Sequence, residues 1–145
     1  MKRNDALLEP FEALCREKGL ALTVQRRAVL KDLAPRKDHP TADQVFESVG
    51  PQVPGLSRTT VYRVLDSLAK AGVIQEVGHL GTAMRYDPRV QRHHHLLCVE
   101  CARVLDIEDP RLDALKAPTG TGFEISDYSV YFKGRCPDCR KKRPR

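Results

Sequence analysis

The chain has 145 residues, enough for one ordinary domain or two small ones. Its 25 Lys+Arg against 19 Asp+Glu give a formal charge of +6 and a pI near 9.2, which fits an anionic partner such as nucleic acid. No apolar run approaches the ~20 residues of a membrane span, and "MKRNDALLEPFEALC" lacks the apolar core of a signal peptide. The expected compartment is therefore a reducing cytoplasm, where five cysteines point to metal or redox chemistry and not to a disulfide framework.

Residues about 6–18 read as a first helix, with Leu7, Leu8, Phe11, Leu14 and Cys15 on one face and Gly19 as its stop. In "LTVQRRAVLKDLA" Thr23 caps a second helix with the stripe Val24, Ala28, Val29 and Leu33. "HPTADQVFESV" predicts a third, capped by Thr41, with Ala42, Val45, Phe46 and Val49 inward. After the breaker-rich "GPQVPG", Ser57 caps a fourth helix; Val61, Val64, Leu65 and Leu68 form its stripe and Gly72 stops it. "VIQEVGHLGTAMRYD" is two short extended runs around a Gly-containing turn, a hairpin signal, and "DPRVQR" is a connector. From His93 onward short β-like runs alternate: "HLLCVEC", "RVLDIED" and "FEISDYSVYFKGRC", with a weak helix "PRLDALKA" between the second and third and a frayed basic tail. The expected class is α+β: residues 1–87 as a helical domain ending in a hairpin, and residues 88–145 as a small α/β unit. That second unit is near the size where a core alone is not enough, so a metal or a partner chain is expected.

Three helices followed by a hairpin is the order of a winged helix-turn-helix, with the fourth helix as the candidate recognition helix. Its buried stripe turns Arg58, Thr59, Tyr62, Arg63 and Ser67 outward, mostly toward the N-terminal half, where they reach phosphates and base edges. Ser57 and Thr60 flank them, and Arg26 and Arg27 are candidate backbone contacts.

"CVEC" (Cys98, Cys101) and "CPDC" (Cys136, Cys139) are two CxxC pairs, each beside an expected strand; together they make a four-thiolate structural zinc site. A pair of reversible disulfides is the alternative. Cys15 reads as a plain core cysteine. In "HHHLLC", His93 and His95 share one strand face and His94 takes the other; two imidazoles at i and i+2 are half of a metal site. Asp87 and Asp106 are candidate oxygen ligands, and His39 could come from the helical domain, although spacing alone does not bring it there. His79 and His94 read as surface residues.

The pieces "LTVQR", "HPTADQVFESV", "SRTTVYRVLDSLAKAGVI", "RYD", "HHHLLCVEC" and "CPDC", in this order, resemble the ferric uptake regulator family of metal-dependent repressors over nearly the whole chain. The resemblance implies a winged-helix DNA-binding domain and a dimerisation domain. It implies structural Zn2+ on Cys98, Cys101, Cys136 and Cys139, and a regulatory Fe2+ or Mn2+ site of His39, Asp87, His93, His95 and Asp106. Operator DNA contacts are then expected from Arg26, Ser57, Arg58, Thr59, Thr60, Tyr62 and Arg63 of a homodimer. The family's ferric regulators usually read "HHDHLIC" and carry glutamate where this chain has Asp106; two aspartates with three histidines look like the peroxide-responsive branch. Tyr128 stands where many ferric and zinc regulators have a further histidine. Two carboxylates balance a divalent cation and three imidazoles bring coordination to five, leaving a position for peroxide. The resemblance then implies oxidation of His39 or His93, loss of metal and release of DNA. A regulator of metal level alone is the neighbouring alternative. A metalloenzyme is disfavoured, because no separate general base stands out.

Overall fold

The computed structural model describes residues 2–78 and 83–142. The chain divides into two compact units, Met1–Val90 and Gln91–Arg145.

In the first unit, helices α1 (Lys2–Glu17), α2 (Val24–Leu33), α3 (Ala42–Val49) and α4 (Arg58–Lys70) precede an antiparallel pair, β1 (Gln75–Val77) and β2 (Arg85–Asp87). Three helix starts are fixed by side-chain caps, each accepting from a first-turn N–H: Thr23 from Arg26, Thr41 from Gln44 and Ser57 from Thr60. Thr41 and Gln44 form a reciprocal capping box. The α4 helix ends where Gly72 turns left-handed (φ 73°) and the Val73 N–H reaches back to the Leu68 carbonyl at 2.9 Å. Val29, Leu30, Leu33, Val45, Val61, Leu65 and Leu68 are fully enclosed, each worth roughly 1.5–3 kcal/mol of burial. Cys15 joins them, as expected of a core cysteine. α1 begins at Lys2 and not near residue 6, because its polar first turn carries no apolar period to read.

In the second unit, β3 (His94–Cys98) is the central strand of a three-stranded sheet. It pairs antiparallel with β4 (Val104–Ile107) and parallel with β5 (Tyr131–Gly134). Two short helices complete the unit, α5 (Pro110–Asp113) and α6 (Pro137–Lys141). Two expectations shrink here. The helix "PRLDALKA" stops at Asp113, since Pro118 disfavours helical backbone before it and Gly120 and Gly122 adopt positive φ. The last β-like run enters the sheet only from Tyr131: β5 pairs with β3 from His95↔Tyr131 to Cys98↔Gly134, so Phe123–Val130 lie outside the strand. Among the described residues no helix is long and apolar enough to cross a membrane.

Candidate metal centre

The four cysteines converge at the end of the sheet. β3 closes at Cys98, and a tight turn with Ala102 in the left-handed region (φ 59°) carries the chain into β4; Ala102 N–H donates to the Cys98 carbonyl at 2.9 Å. Beyond β5, Cys136 caps α6, its sulfur accepting from the Cys139 N–H at 3.5 Å. Val99 N–H donates to the Gly134 carbonyl at 2.8 Å, and Cys136 N–H donates to the Cys98 sulfur at 3.3 Å, which clamps the two turns side by side. The four sulfurs lie within 4.8 Å of one another, and those of Cys101 and Cys136 are 3.8 Å apart. Zinc with Zn–S near 2.3 Å sets tetrahedral sulfurs about 3.8 Å apart, whereas a disulfide needs about 2.05 Å. The donor set therefore fits a structural zinc ion. The N–H groups of Cys101 and then Cys136 pull the Cys98 thiol down to about 6, while hydrogen bonding to Cys136 and burial push Cys139 up. Four thiolates this close would repel one another, and a cation among them offsets that repulsion.

Histidines and aspartates gather in each unit. In the first, the lead-in to α3 lies against β2: Tyr86 N–H donates to the Pro40 carbonyl and Arg85 Nη1 to the His39 carbonyl, both at 2.9 Å. This brings His39 Nε2 to 3.2 Å from Asp87 Oδ2. His39 adopts φ 51°, an uncommon conformation for a non-glycine residue and one seen more often at functional positions. The other oxygen of Asp87 accepts from the Arg89 N–H at 2.8 Å, which fixes the carboxylate's direction. In the second unit, His93 Nδ1 is 2.7 Å from the Gln91 carbonyl. A carbonyl only accepts, so Nδ1 carries the proton and Nε2 holds the lone pair, the arrangement of a ligating imidazole. His93 Nε2 and His95 Nε2 are 3.1 Å apart, with Asp106 Oδ1 at 3.2 and 3.5 Å from them. The antiparallel register puts Asp106 opposite His95, and Tyr131 of β5 stacks on the His95 ring. Two ring nitrogens and a carboxylate oxygen this close form a donor set whose chemistry fits a divalent ion.

His94 corrects the surface expectation, for it is 0% exposed. Its Nε2 meets Asp113 Oδ1 at 3.0 Å, its Nδ1 accepts from the Val130 N–H at 3.1 Å, and Tyr128 stacks on its ring. Tyr128 in turn donates its hydroxyl to the Leu112 carbonyl at 2.5 Å. Asp113 and Tyr128 gave no local signal of this role. His94 is a polar lock between β3, α5 and the approach to β5. His94→Ala in the zinc-loaded chain should lower the stability of the second unit by about 3 kcal/mol, through the cavity and the orphaned Val130 N–H. Denaturant unfolding followed on residues of that unit reads this out; an unchanged midpoint would refute the lock. His79 lies outside the described residues.

On the first unit, Arg58, Thr59, Tyr62 and Arg63 are exposed on α4, and Thr60 is half-buried. Ser57 and Thr60 share a hydroxyl contact of 2.8 Å at the helix start. Arg26 turns its guanidinium onto α4, donating to Ser67 Oγ at 3.2 Å and to the Ala21 carbonyl. Arg27 pairs with Glu12 at 2.5 Å.

A family model described as the ferric uptake regulator family matches residues 17–133. The chain is 31% identical over 137 residues to the peroxide-responsive repressor PerR of Staphylococcus saprophyticus, covering 93% of each. Among solved structures, the ferric uptake regulator from Francisella tularensis with iron superposes with a TM-score of 0.73 at 29% identity, over 85% of this chain and 96% of that one. The structure described as GAS PerR-Zn-Zn gives a TM-score of 0.53 at 25% identity, over 95% of this chain and 90% of that one.

Proposed function

The chain belongs to the ferric uptake regulator family of metal-dependent repressors, and we propose that it is a peroxide-responsive member acting on operator DNA in the cytoplasm. Residues 1–87 act as a winged-helix DNA-binding domain and residues 88–145 as the dimerisation and metal-binding domain. Zinc on Cys98, Cys101, Cys136 and Cys139 holds the second domain together. His39 and Asp87 from the first domain, with His93, His95 and Asp106 from the second, share one Fe2+ or Mn2+. A cation held by ligands from both domains favours one arrangement of them, and by linkage the same preference raises DNA affinity, typically by about 1–3 kcal/mol.

The carrying observation is the donor chemistry. Three imidazoles and two aspartates are gathered as half-sets, with His93 fixed as an Nε2 donor by the Gln91 carbonyl. Tyr128, bonded to Leu112 and packed on His94, supports no further ligand at its position. Iron held there would supply the one-electron chemistry that opens the O–O bond of hydrogen peroxide. In the net reaction the ring of His39 or His93 would give up two electrons to the peroxide and keep one of its oxygens, the other leaving as water; as a weaker donor the ring would let the two half-sets part and DNA be released. Dimerisation is supported by an exposed apolar row across the sheet, Leu105–Leu96–Phe132 in register, and by Phe123 at 82% exposure and Ile125 beside it. A second copy covering this row presents two α4 helices to a pseudo-palindromic operator. On each, Arg58, Thr59, Tyr62 and Arg63 meet the groove, with Ser57 and Thr60 at the helix start.

Mass spectrometry of the iron-loaded protein after peroxide should find one added oxygen on the peptide carrying His39 or His93, together with lost DNA binding. The manganese-loaded protein should stay unmodified and bound. Intact histidines with DNA binding lost would sink the peroxide mechanism. The alternative, a regulator of metal level alone, is favoured by the similarity to an iron-loaded ferric uptake regulator; it expects iron-loaded protein to keep its DNA through peroxide treatment.

A further inference from the structure

One carboxylate on α3 holds two of the outward residues of α4. Asp43 is in the first turn of α3, just after the Thr41 cap. Its Oδ1 accepts from Arg58 Nη1 and, at 3.2 Å, from the Tyr62 hydroxyl. The Arg58 guanidinium also lies 4.8 Å from the centroid of the Phe46 ring, so α3 grips this arginine from two sides. Arg58 and Tyr62 are four residues apart, on successive turns of one exposed face. The side chains of Arg58 and Asp43 are 52% and 51% exposed, so a polyanion meets the pair together and not a bare arginine.

Two binding modes feel this pair differently. Binding to unmatched duplex is a matter of free cations replacing condensed counterions. A paired Arg58 adds little there, and the Asp43 charge repels phosphate. Binding to a matched site needs donors at set places. Arg58 has five N–H donors and spends few on Asp43. Tyr62 and Arg58, already immobilised, lose less conformational freedom when they meet their acceptors.

We propose that Asp43 is a specificity-determining residue of the DNA-reading surface: it withholds the charge of Arg58 from unmatched duplex and presents Arg58 and Tyr62 in one orientation to a matched one. The proposal rests on the DNA-binding reading above.

Asp43→Asn removes the charge and keeps an acceptor for the Tyr62 hydroxyl. The probes are a random-sequence duplex and a duplex enriched from a random library by the wild-type, manganese-loaded full chain. With Asp43→Asn the random duplex should bind about fivefold tighter, the scale of an exposed ion pair. The slope of log K against log salt should steepen by about 0.9, one more phosphate neutralised. The enriched duplex should gain nothing, so the ratio of the two affinities falls. In an Arg58→Ala background the same substitution should give only a smaller gain in affinity and slope, from the lost repulsion of Asp43, because the withheld charge of Arg58 is gone. An unchanged slope in Asp43→Asn, or an equal gain on the Arg58→Ala background, overturns the role of Asp43 while leaving DNA binding intact. If the wild type enriches no sequence at all, the repressor reading fails and Asp43's role fails with it.

Discussion

Cys98→Ser should unfold the second unit while leaving the helical unit folded. The apolar residues that unit buries are few among those described: Leu97 and Val104, beside the cysteines Cys98 and Cys139. Where a self-sufficient domain packs leucines, this one packs His93, His94 and His95. Burial worth roughly 1.5–3 kcal/mol per side chain cannot offset the ordering of a segment this long. A structural zinc ion contributes on the order of 10–16 kcal/mol of apparent binding free energy. Serine is a poor zinc ligand, and Cys98 is also the acceptor for the Cys136 N–H. In amide NMR spectra of the full chain, resonances of residues 91–142 should collapse toward random-coil positions, and a strong chelator acting on wild type should do the same. Dispersed resonances for that unit in Cys98→Ser would show that the four sulfurs are not what holds it.

On the proposed reading, His93→Ala should abolish the response of DNA binding to manganese and leave zinc content and folding in place. His93 Nε2 lies within 3.2 Å of both His95 and Asp106, and its Nδ1 is committed to Gln91. Alanine removes one donor from beside His95 and Asp106. The lost quantity is the coupling between metal and DNA, typically a factor of about 5–150. Titrating duplex at one stated salt concentration, with and without manganese, measures it; the ratio should fall to near one in His93→Ala. Retention of the full manganese response, with His93 gone, would remove the regulatory half of the proposal, whatever the zinc site does.

Each helix of the first unit was legible because its evidence is local. Thr23, Thr41 and Ser57 cap N–H groups three residues on, and the stripes repeat within a single turn. The cysteine pairs were legible for the same reason: each puts two sulfurs on one tight turn, and two such turns suggest one tetrahedral ion. The family resemblance added what no periodicity holds, that the two halves of the chain serve one regulator.

Other features answer to residues far away in the chain. His94 looked like a surface residue because alternation says only which face it takes, whereas its burial depends on Asp113 and Tyr128 closing over that face. The contacts of the Arg26 guanidinium with Ser67 Oγ and the Ala21 carbonyl likewise come from packing that no spacing announces. The Asp43 contacts with Arg58 and Tyr62 come from how α3 meets α4, which no spacing within either helix encodes. By itself, then, the sequence determined the helices, their caps, the thiol turns and the family. The tertiary structure alone decided which polar side chains are spent on each other, because a hydrogen bond or ion pair between distant segments depends on packing and leaves no period in the chain.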